Sequence, residues 1–420
     1  MDANYNRSRI LVLVFACLLL LTPLPARAFV MSLGGSPENP AAALNSAADV
    51  LYATDRDGRE VRIVGTDSSL LEGTPLDLGM PSVAPDGTVF FAAAFRRNDR
   101  VRWEIFAANP DDQSVSRVAL SGSPSALEMV TDPTPMAQSD GSIVFAARDI
   151  ARGDGLYRLK DGKLSCLVRV GAKLDGNVLQ NIAFGSFSAA SAGATAFTGY
   201  LTPVGKAELL VTDGKVIVLA TVGAKAPGGA RYRELGPPAL GDGLVVFPAV
   251  TDRGEGVYAY QQGKVDAILT KGSPCSCGKV TYISKDRAGI NSDGIVAVSA
   301  TCSRVPSILM VKDSKTTMLV SAPFTHDQTG FLELGTPSLL DDGTALFGAR
   351  KTDGDEGLYS VHASLDPSVT IGLVRPLVVE AGPIALHLHS ILSVSVASNE
   401  QGRIAYLGGP VESFASVPTE

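Results

Sequence analysis

The chain has 420 residues, 45% of them hydrophobic and only 6% aromatic, and carries 36 Lys and Arg against 43 Asp and Glu for a formal net charge of −7. An acidic surface has no counterion-release drive toward nucleic acid and no attraction to anionic membrane, so the sequence predicts neither partner. A chain this long ordinarily divides into two or three domains, a prior that repeat folds escape.

At the N-terminus Arg7 and Arg9 precede an unbroken apolar run from Ile10 to Leu21, and a Pro-broken stretch then ends in Ala26-Arg27-Ala28. A charged start, a short greasy core and small residues around a cut site specify a secretory signal peptide, residues 1–28, cleaved after Ala28. The apolar run is about twelve residues, short of the roughly twenty that span a bilayer, and no later stretch approaches that length. The mature chain is therefore expected to be periplasmic or extracellular, with no membrane span. Removing the signal takes Arg7, Arg9 and Arg27 against Asp2 alone, which leaves the chain more acidic still.

Beyond a lead-in at 29–47, one pattern recurs: a short apolar stretch, a tight turn ending in Gly, a β-prone run, a polar loop, and two further strands. Its anchors are Gly87, Gly141, Gly193, Gly243, Gly294, Gly343 and Gly402. They return roughly every fifty residues, the period of a supersecondary repeat. Five of them are preceded by Asp, at 86, 140, 242, 293 and 342. Asp-Gly is favoured in two-residue hairpin turns that need positive φ at both positions, so each anchor is read as the turn between a first and a second strand. The runs that follow, such as Val89-Phe90-Phe91-Ala92 and Ile143-Val144-Phe145-Ala146, are continuously apolar and suit strands buried on both faces. Third strands carry Ile105-Phe106, Leu156-Tyr157, Leu209-Leu210, Val257-Tyr258, Ile308-Leu309 and Leu358-Tyr359. Fourth strands follow, the last of them at Val369 to Leu373.

The ends decide the architecture. The repeat after Gly402 stops near Gly409 with two strands, whereas Val50-Leu51-Tyr52-Ala53 and Val61-Arg62-Ile63-Val64 stand at the start as a third and fourth strand without a first and second. Joined, they complete one unit from both termini and remove the open edges of a linear array. The expected fold is an all-β, seven-bladed propeller of four-stranded blades over 48–410, its ring closed by the N-terminal strands, with a tail at 411–420.

The first copy, Ala84-Pro85-Asp86-Gly87 through Phe90-Phe91-Ala92 to Trp103-Glu104-Ile105-Phe106 and Asn109-Pro110-Asp111, resembles the blade repeat of TolB-like, WD-related bacterial propellers. Later copies drift from it, and Gly223-Ala224-Lys225-Ala226-Pro227-Gly228-Gly229 resembles a segment of secreted bacterial repeat proteins of unassigned function. The resemblance implies architecture over the mature chain and carries no active site.

Candidate chemistry is sparse. Cys275 and Cys277 occupy a loop between repeats and Cys302 opens a neighbouring loop at the same end, so a disulfide of Cys302 with Cys275 or Cys277 is expected in an oxidising compartment. Three thiolates without a histidine make a poor zinc set. Cys166 is read as a buried free thiol. His387-Leu388-His389 presents both rings on one side of a strand but lacks a third ligand, and no cofactor or metal is expected. Charge clusters on the loops between second and third strands: Arg96, Arg97, Asp99 and Arg100; Arg148, Asp149 and Arg152; Asp252, Arg253 and Glu255; Arg350, Lys351, Asp353, Asp355 and Glu356. In a propeller these loops emerge at one end. The sequence thus predicts a non-enzymatic exported scaffold binding a protein or glycan there. The alternative is a hydrolase or lyase acting on extracellular polysaccharide or peptide with carboxylates from the same loops.

Overall fold

The computed structural model describes residues 50–408 apart from 55–59, 67–70, 72, 98–99, 119–126, 190–192, 242, 277, 323–330, 352–355, 363–373, 380–396 and 399–402. The signal peptide, the lead-in, the C-terminal tail, His387, His389, Asp99, Asp353, Asp355 and Cys277 lie outside these residues. The described chain is all-β, relieved by one 3-10 turn at Pro227–Gly229, and its strands pair antiparallel throughout. No helix among the described residues is long and apolar enough to cross a membrane.

Each repeat is a four-strand meander. In the fourth, an inner strand broken into Tyr232–Leu235 and Ala239–Leu240 pairs with Val245–Thr251, which pairs with Gly254–Gln261, which pairs with Lys264–Thr270. The second strands are the continuously buried ones: Phe91 to Phe95 are at most 2% exposed. An aromatic ladder repeats inside them. Phe91 lies opposite Phe106, Phe145 opposite Tyr157, Phe247 opposite Tyr258 and Phe347 opposite Tyr359. Their rings stack with centroids 5.6, 6.4, 5.9 and 6.0 Å apart, a geometry worth about 0.5–1.5 kcal/mol beyond area burial. Leu209 and Leu309 replace the aromatic in the third and fifth repeats.

The core lies between successive repeats. Val144, Leu156 and Val168 of the second pack on Leu179, Phe197 and Leu209 of the third, and Ile308, Met310 and Leu319 of the fifth on Phe331, Phe347 and Tyr359 of the sixth. Sheets stacked face to face in sequence order, each with its short inner strand against the next, give a propeller-like arrangement. At the ends of the chain, Glu60–Gly65, Val50–Thr54, Ile404–Gly408 and Ala397–Ser398 form one sheet in that order, with Leu51 opposite Leu407 and Ala53 opposite Ala405.

Three expectations need correction. Among the described residues, hydrogen bonding yields six sheets, not seven, because the first and second repeats fuse into one ten-stranded sheet where Trp103 pairs with Val130. The Asp-Gly anchors are not two-residue turns. The Gly87 amide donates to the Ala84 carbonyl while Ala84 donates to Thr88, and Gly87 has φ 88° whereas Asp86 stays at negative φ. That is a type I turn closed by a left-handed Gly bulge. Asp earns its place by accepting a hydrogen bond from the amide two residues on, as Asp86 does from Thr88 and Asp342 from Thr344. True two-residue turns with both φ positive join third and fourth strands instead, at Asp161-Gly162 and Asp213-Gly214. Finally, the outer strand of the sixth repeat is Val374–Val379, paired with Gly357 to Val361, and 369–373 fall outside the described residues.

Candidate functional site

The loop charges singled out from the sequence are held locally. Arg97 pairs with Glu104 at 3.5 Å and lies 5.0 Å from the Phe95 ring centroid, and Arg148 clamps Asp154 through Nε and Nη2 at 2.7 and 3.0 Å. Glu255 pairs with Lys271 at 3.3 Å, and Arg350 with Glu333. Asp252 accepts from the Arg231 amide at 3.0 Å, and Arg253 donates to the Gly228 carbonyl at 2.9 Å. Each of these contacts closes within its own repeat. Arg96 and Arg152 are exposed, and Glu356 sits opposite Arg350 in the strand register. Asp149 is a correction: it is 2% exposed, turned under the loop where Oδ1 accepts from the Ala151 amide at 2.8 Å. Its neighbour Tyr157 has its phenol pushed up to about 12, chiefly by burial and then by Cys166 and Asp149. Cys166 is only half-buried, with the Arg169 guanidinium donating to its sulfur at 3.3 Å. Cys275 and Cys302 form a disulfide.

The sequence reading missed a second cluster, in the interior. Each inner strand is broken by a crossing whose length the register defines. It spans 79–81, 236–238 and 335–337 in the first, fourth and sixth repeats. In the second and fifth it is longer, spanning 131–135 and 284–288, and in the third it is a bulge over 183–186 within the strand Asn177–Ser188. These longer crossings meet. Asp132, 2% exposed, accepts from the Gly185 amide and from both the amide and hydroxyl of Thr134. Arg287 of the fifth repeat reaches the third, where Nη2 donates to the carbonyls of Gly185 at 2.9 Å and Phe187 at 3.0 Å, while its buried Nε has no partner among the described residues.

Glu208 completes the junction. It is fully buried, and the Thr198 hydroxyl lies 3.0 Å from each of its carboxyl oxygens. Burial pushes both carboxyls upward, Glu208 well above its ordinary value, against the pull of Arg287, which acts on both. Lys206 also pulls Glu208 downward, yet burial outweighs both cations and favours the protonated form. A signal for Glu208 was present in the repeat. Opposite Thr198 it occupies the position that Ile105, Leu156, Val257, Ile308 and Leu358 fill opposite Ala92, Ala146, Pro248, Ser299 and Gly348. Five aliphatics and one acid at equivalent core positions mark the acid as an exception to the packing rule.

Fold and site together define an all-β protein of propeller-like arrangement with a buried acid–arginine junction in its inner walls. The chain belongs to DUF7453, a family of unknown function, which matches residues 78–307. The resemblance to TolB-like and WD-related repeats holds at the coarser level of the propeller arrangement. No curated protein matches the sequence. Among solved structures, the chain is similar to the Pyrococcus horikoshii acylaminoacyl peptidase, at 12% identity and TM-score 0.49 over 77% of this chain and 48% of that one. It is also similar to a prolyl endopeptidase, at 12% identity and TM-score 0.47 over 86% and 50%. The GH74 xyloglucanase of Xanthomonas campestris matches at 13% identity and TM-score 0.41 over 76% and 50%. The chain thus spans about half the length of these structures.

Proposed function

We propose that the chain is an exported seven-bladed propeller, closed as a ring by its own termini, that binds a protein or glycan partner over the end bearing the loops between second and third strands. The blade count is supported by the sheet pairing: parting the ten-stranded sheet at Trp103 and Val130 turns six sheets into seven units. The observation that carries binding over catalysis is the local pairing of the loop charges, which commits Glu255, Asp154 and Glu333 to cations of their own repeats. Acid–base catalysis needs titratable groups convergent on one reacting atom, a demand that ion-paired carboxylates in separate loops do not meet. Large apolar side chains are also exposed near these loops, Ile150 at 69% in the second repeat and Leu332 at 57% in the sixth, and apolar side chains among charged ones suit a binding surface.

The test uses the mature chain against a panel of extracellular polysaccharides and peptides, following binding by interferometry and products by chromatography. Binding without turnover, weakened about tenfold by Ile150→Asp or Arg148→Glu, is the expected result. The second reading, a hydrolase or lyase, is favoured by Asp132 and Glu208, since burial raises both carboxyls and a raised carboxyl is the kind of group that serves as a general acid. Product formation that survives the loop variants and vanishes in Glu208→Gln or Asp132→Asn would replace binding with catalysis.

A further inference from the structure

The fifth and sixth repeats leave a cleft between them, about 220 Å³ in volume, at the loop-bearing end of the blade. Tyr282 forms one wall, 45% exposed. Asp286, Ser299, Thr301 and Ser307 supply polar groups, and Leu334 an apolar floor. The repeat register explains why a cleft opens here. Tyr282 lies opposite Thr301, at the position where Glu333 lies opposite Arg350 in the sixth repeat. There an ion pair fills the space. In the fifth repeat the same two positions hold a phenol ring and a short hydroxyl, which cannot close on each other as opposite charges do.

The chemistry of the lining restricts the ligand. Among the described residues it contains no Lys or Arg to compensate a phosphate or carboxylate. Its polar groups are hydroxyls, able both to donate and to accept, with one carboxylate, and they stand beside an exposed aromatic face. Asp286 takes a hydrogen bond from Ser284 through Oδ2 at 2.6 Å, and Ser299 donates to the Gly335 carbonyl at 3.0 Å. Hydroxyls anchored this way present their remaining lone pairs in fixed directions. A pyranose matches both features: one face of the ring is a patch of C–H groups that stacks on an aromatic, and its edge is a row of hydroxyls. The volume falls below the roughly 300–1,000 Å³ of pockets for drug-sized ligands, which restricts it to a single ring.

The second observation is covalent. Cys302 follows Thr301 directly, and the Cys275–Cys302 disulfide ties the strand that carries Thr301 to the short strand preceding Tyr282. A cross-link beside the cleft fixes the separation of its wall, and such preorganisation lowers the ordering cost of binding.

We infer that this cleft is a saccharide subsite, holding one neutral sugar ring of a longer glycan against Tyr282 with Asp286 and Thr301 at its edge. The inference rests on the binding reading above and narrows its partner to a glycan. Saturation-transfer NMR of the mature, oxidised chain with cellotetraose, xylotetraose and chitotetraose tests it, with choline as a cationic control for the Tyr282–Asp286 pair. At least one tetrasaccharide should show transfer, with affinity falling about tenfold in Tyr282→Ala and staying within about threefold in Tyr282→Phe. Because Tyr282 is largely exposed, near-ultraviolet circular dichroism of the variants should stay native. The subsite is overturned if no tetrasaccharide binds, if choline alone binds, or if Tyr282→Ala binds sugar as well as the parent. Shortened oligosaccharides in the sample would instead overturn the non-catalytic reading and leave the subsite standing.

Discussion

Glu208 is the residue at which the repeat departs furthest from its own rule. An uncharged aliphatic at this position packs in five other repeats without needing a partner, whereas a buried carboxyl must be desolvated and paired. Replacing a buried ionisable group with a well-fitting hydrophobe is often stabilising by about 1–4 kcal/mol. The double variant Glu208→Leu with Thr198→Ala, which copies the Leu156–Ala146 pair, should therefore raise the urea midpoint without changing the slope. A lowered midpoint would mean that Glu208 and Arg287 form a net-stabilising pair. The opposite manipulation, Arg287→Met, leaves buried Asp132 without its cation and Glu208 with Lys206 alone, and should cost about 3–5 kcal/mol. The pH dependence follows from the raised carboxyls. Above the ordinary Glu and Asp values of 4.5 and 3.8, the unfolded chain loses these protons while the folded chain retains them. The unfolded state then binds fewer protons, so this part of the stability is fully present below about pH 4 and falls as pH rises toward the folded values. Asp140, held well below its ordinary value by Lys160, Ser142 and Arg158 against its burial, has the opposite sign and loses its contribution only in acid. Unfolding measured from pH 4 to 8 should show a decline that Glu208→Gln flattens. An unchanged slope in that variant would place the decline elsewhere.

At the scale of the element, turn chemistry was legible because it is local, and its geometry was misassigned because two turn types share a dipeptide. Asp-Gly serves a type I turn with a Gly bulge at Gly87 and a mirror-image two-residue turn at Asp161-Gly162, and only the φ of Asp distinguishes them. What the dipeptide could reveal was the spacing, and the spacing located the strands. The junction was not legible by the same means. Glu208 precedes Leu209-Leu210 in a strand where an acid reads as a surface residue, and only the register across repeats puts it in the core. Arg287 and Asp132 are separated by two intervening crossings in sequence and reveal their relation only through the lengths of those crossings. The disulfide is the element-scale constraint with a measurable energy. It closes a sequence separation of 27, for which the chain-entropy account gives about 3–4 kcal/mol. Thermal unfolding with and without reductant should show a loss of that order. A negligible shift would mean that the pairing of Val280 with Cys302 already fixes this segment.

For the whole molecule, the terminal sheet is the element that joins the first described strands to the last. Val50–Thr54 supplies backbone partners to Ile404–Gly408, so the chain's two ends hold each other by a ladder rather than by side chains alone. The same strands cover the first repeat: Leu51, Ile63 and Val64 pack in one cluster with Val89, Phe91, Phe95 and Phe106. Removing residues 50–65 exposes one strand edge and one hydrophobic face at once. Full burial of a large aliphatic is worth about 1.5–3 kcal/mol, so the three residues together account for roughly 5–9 kcal/mol, against a total stability of about 5–15 kcal/mol for a typical domain. A chain lacking 50–65 should therefore lose its cooperative thermal transition and self-associate, because an uncovered strand edge pairs with another copy. Removing only 409–420, which follow the last strand of the terminal sheet in sequence, should leave the transition in place. If the chain lacking 50–65 still unfolds cooperatively as a monomer, the terminal sheet is dispensable and the proposed ring closure is not what holds the repeats together. Loss of the transition in that variant alone is the result that closure demands, since a linear stack of repeats would shed a terminal hairpin and keep the rest.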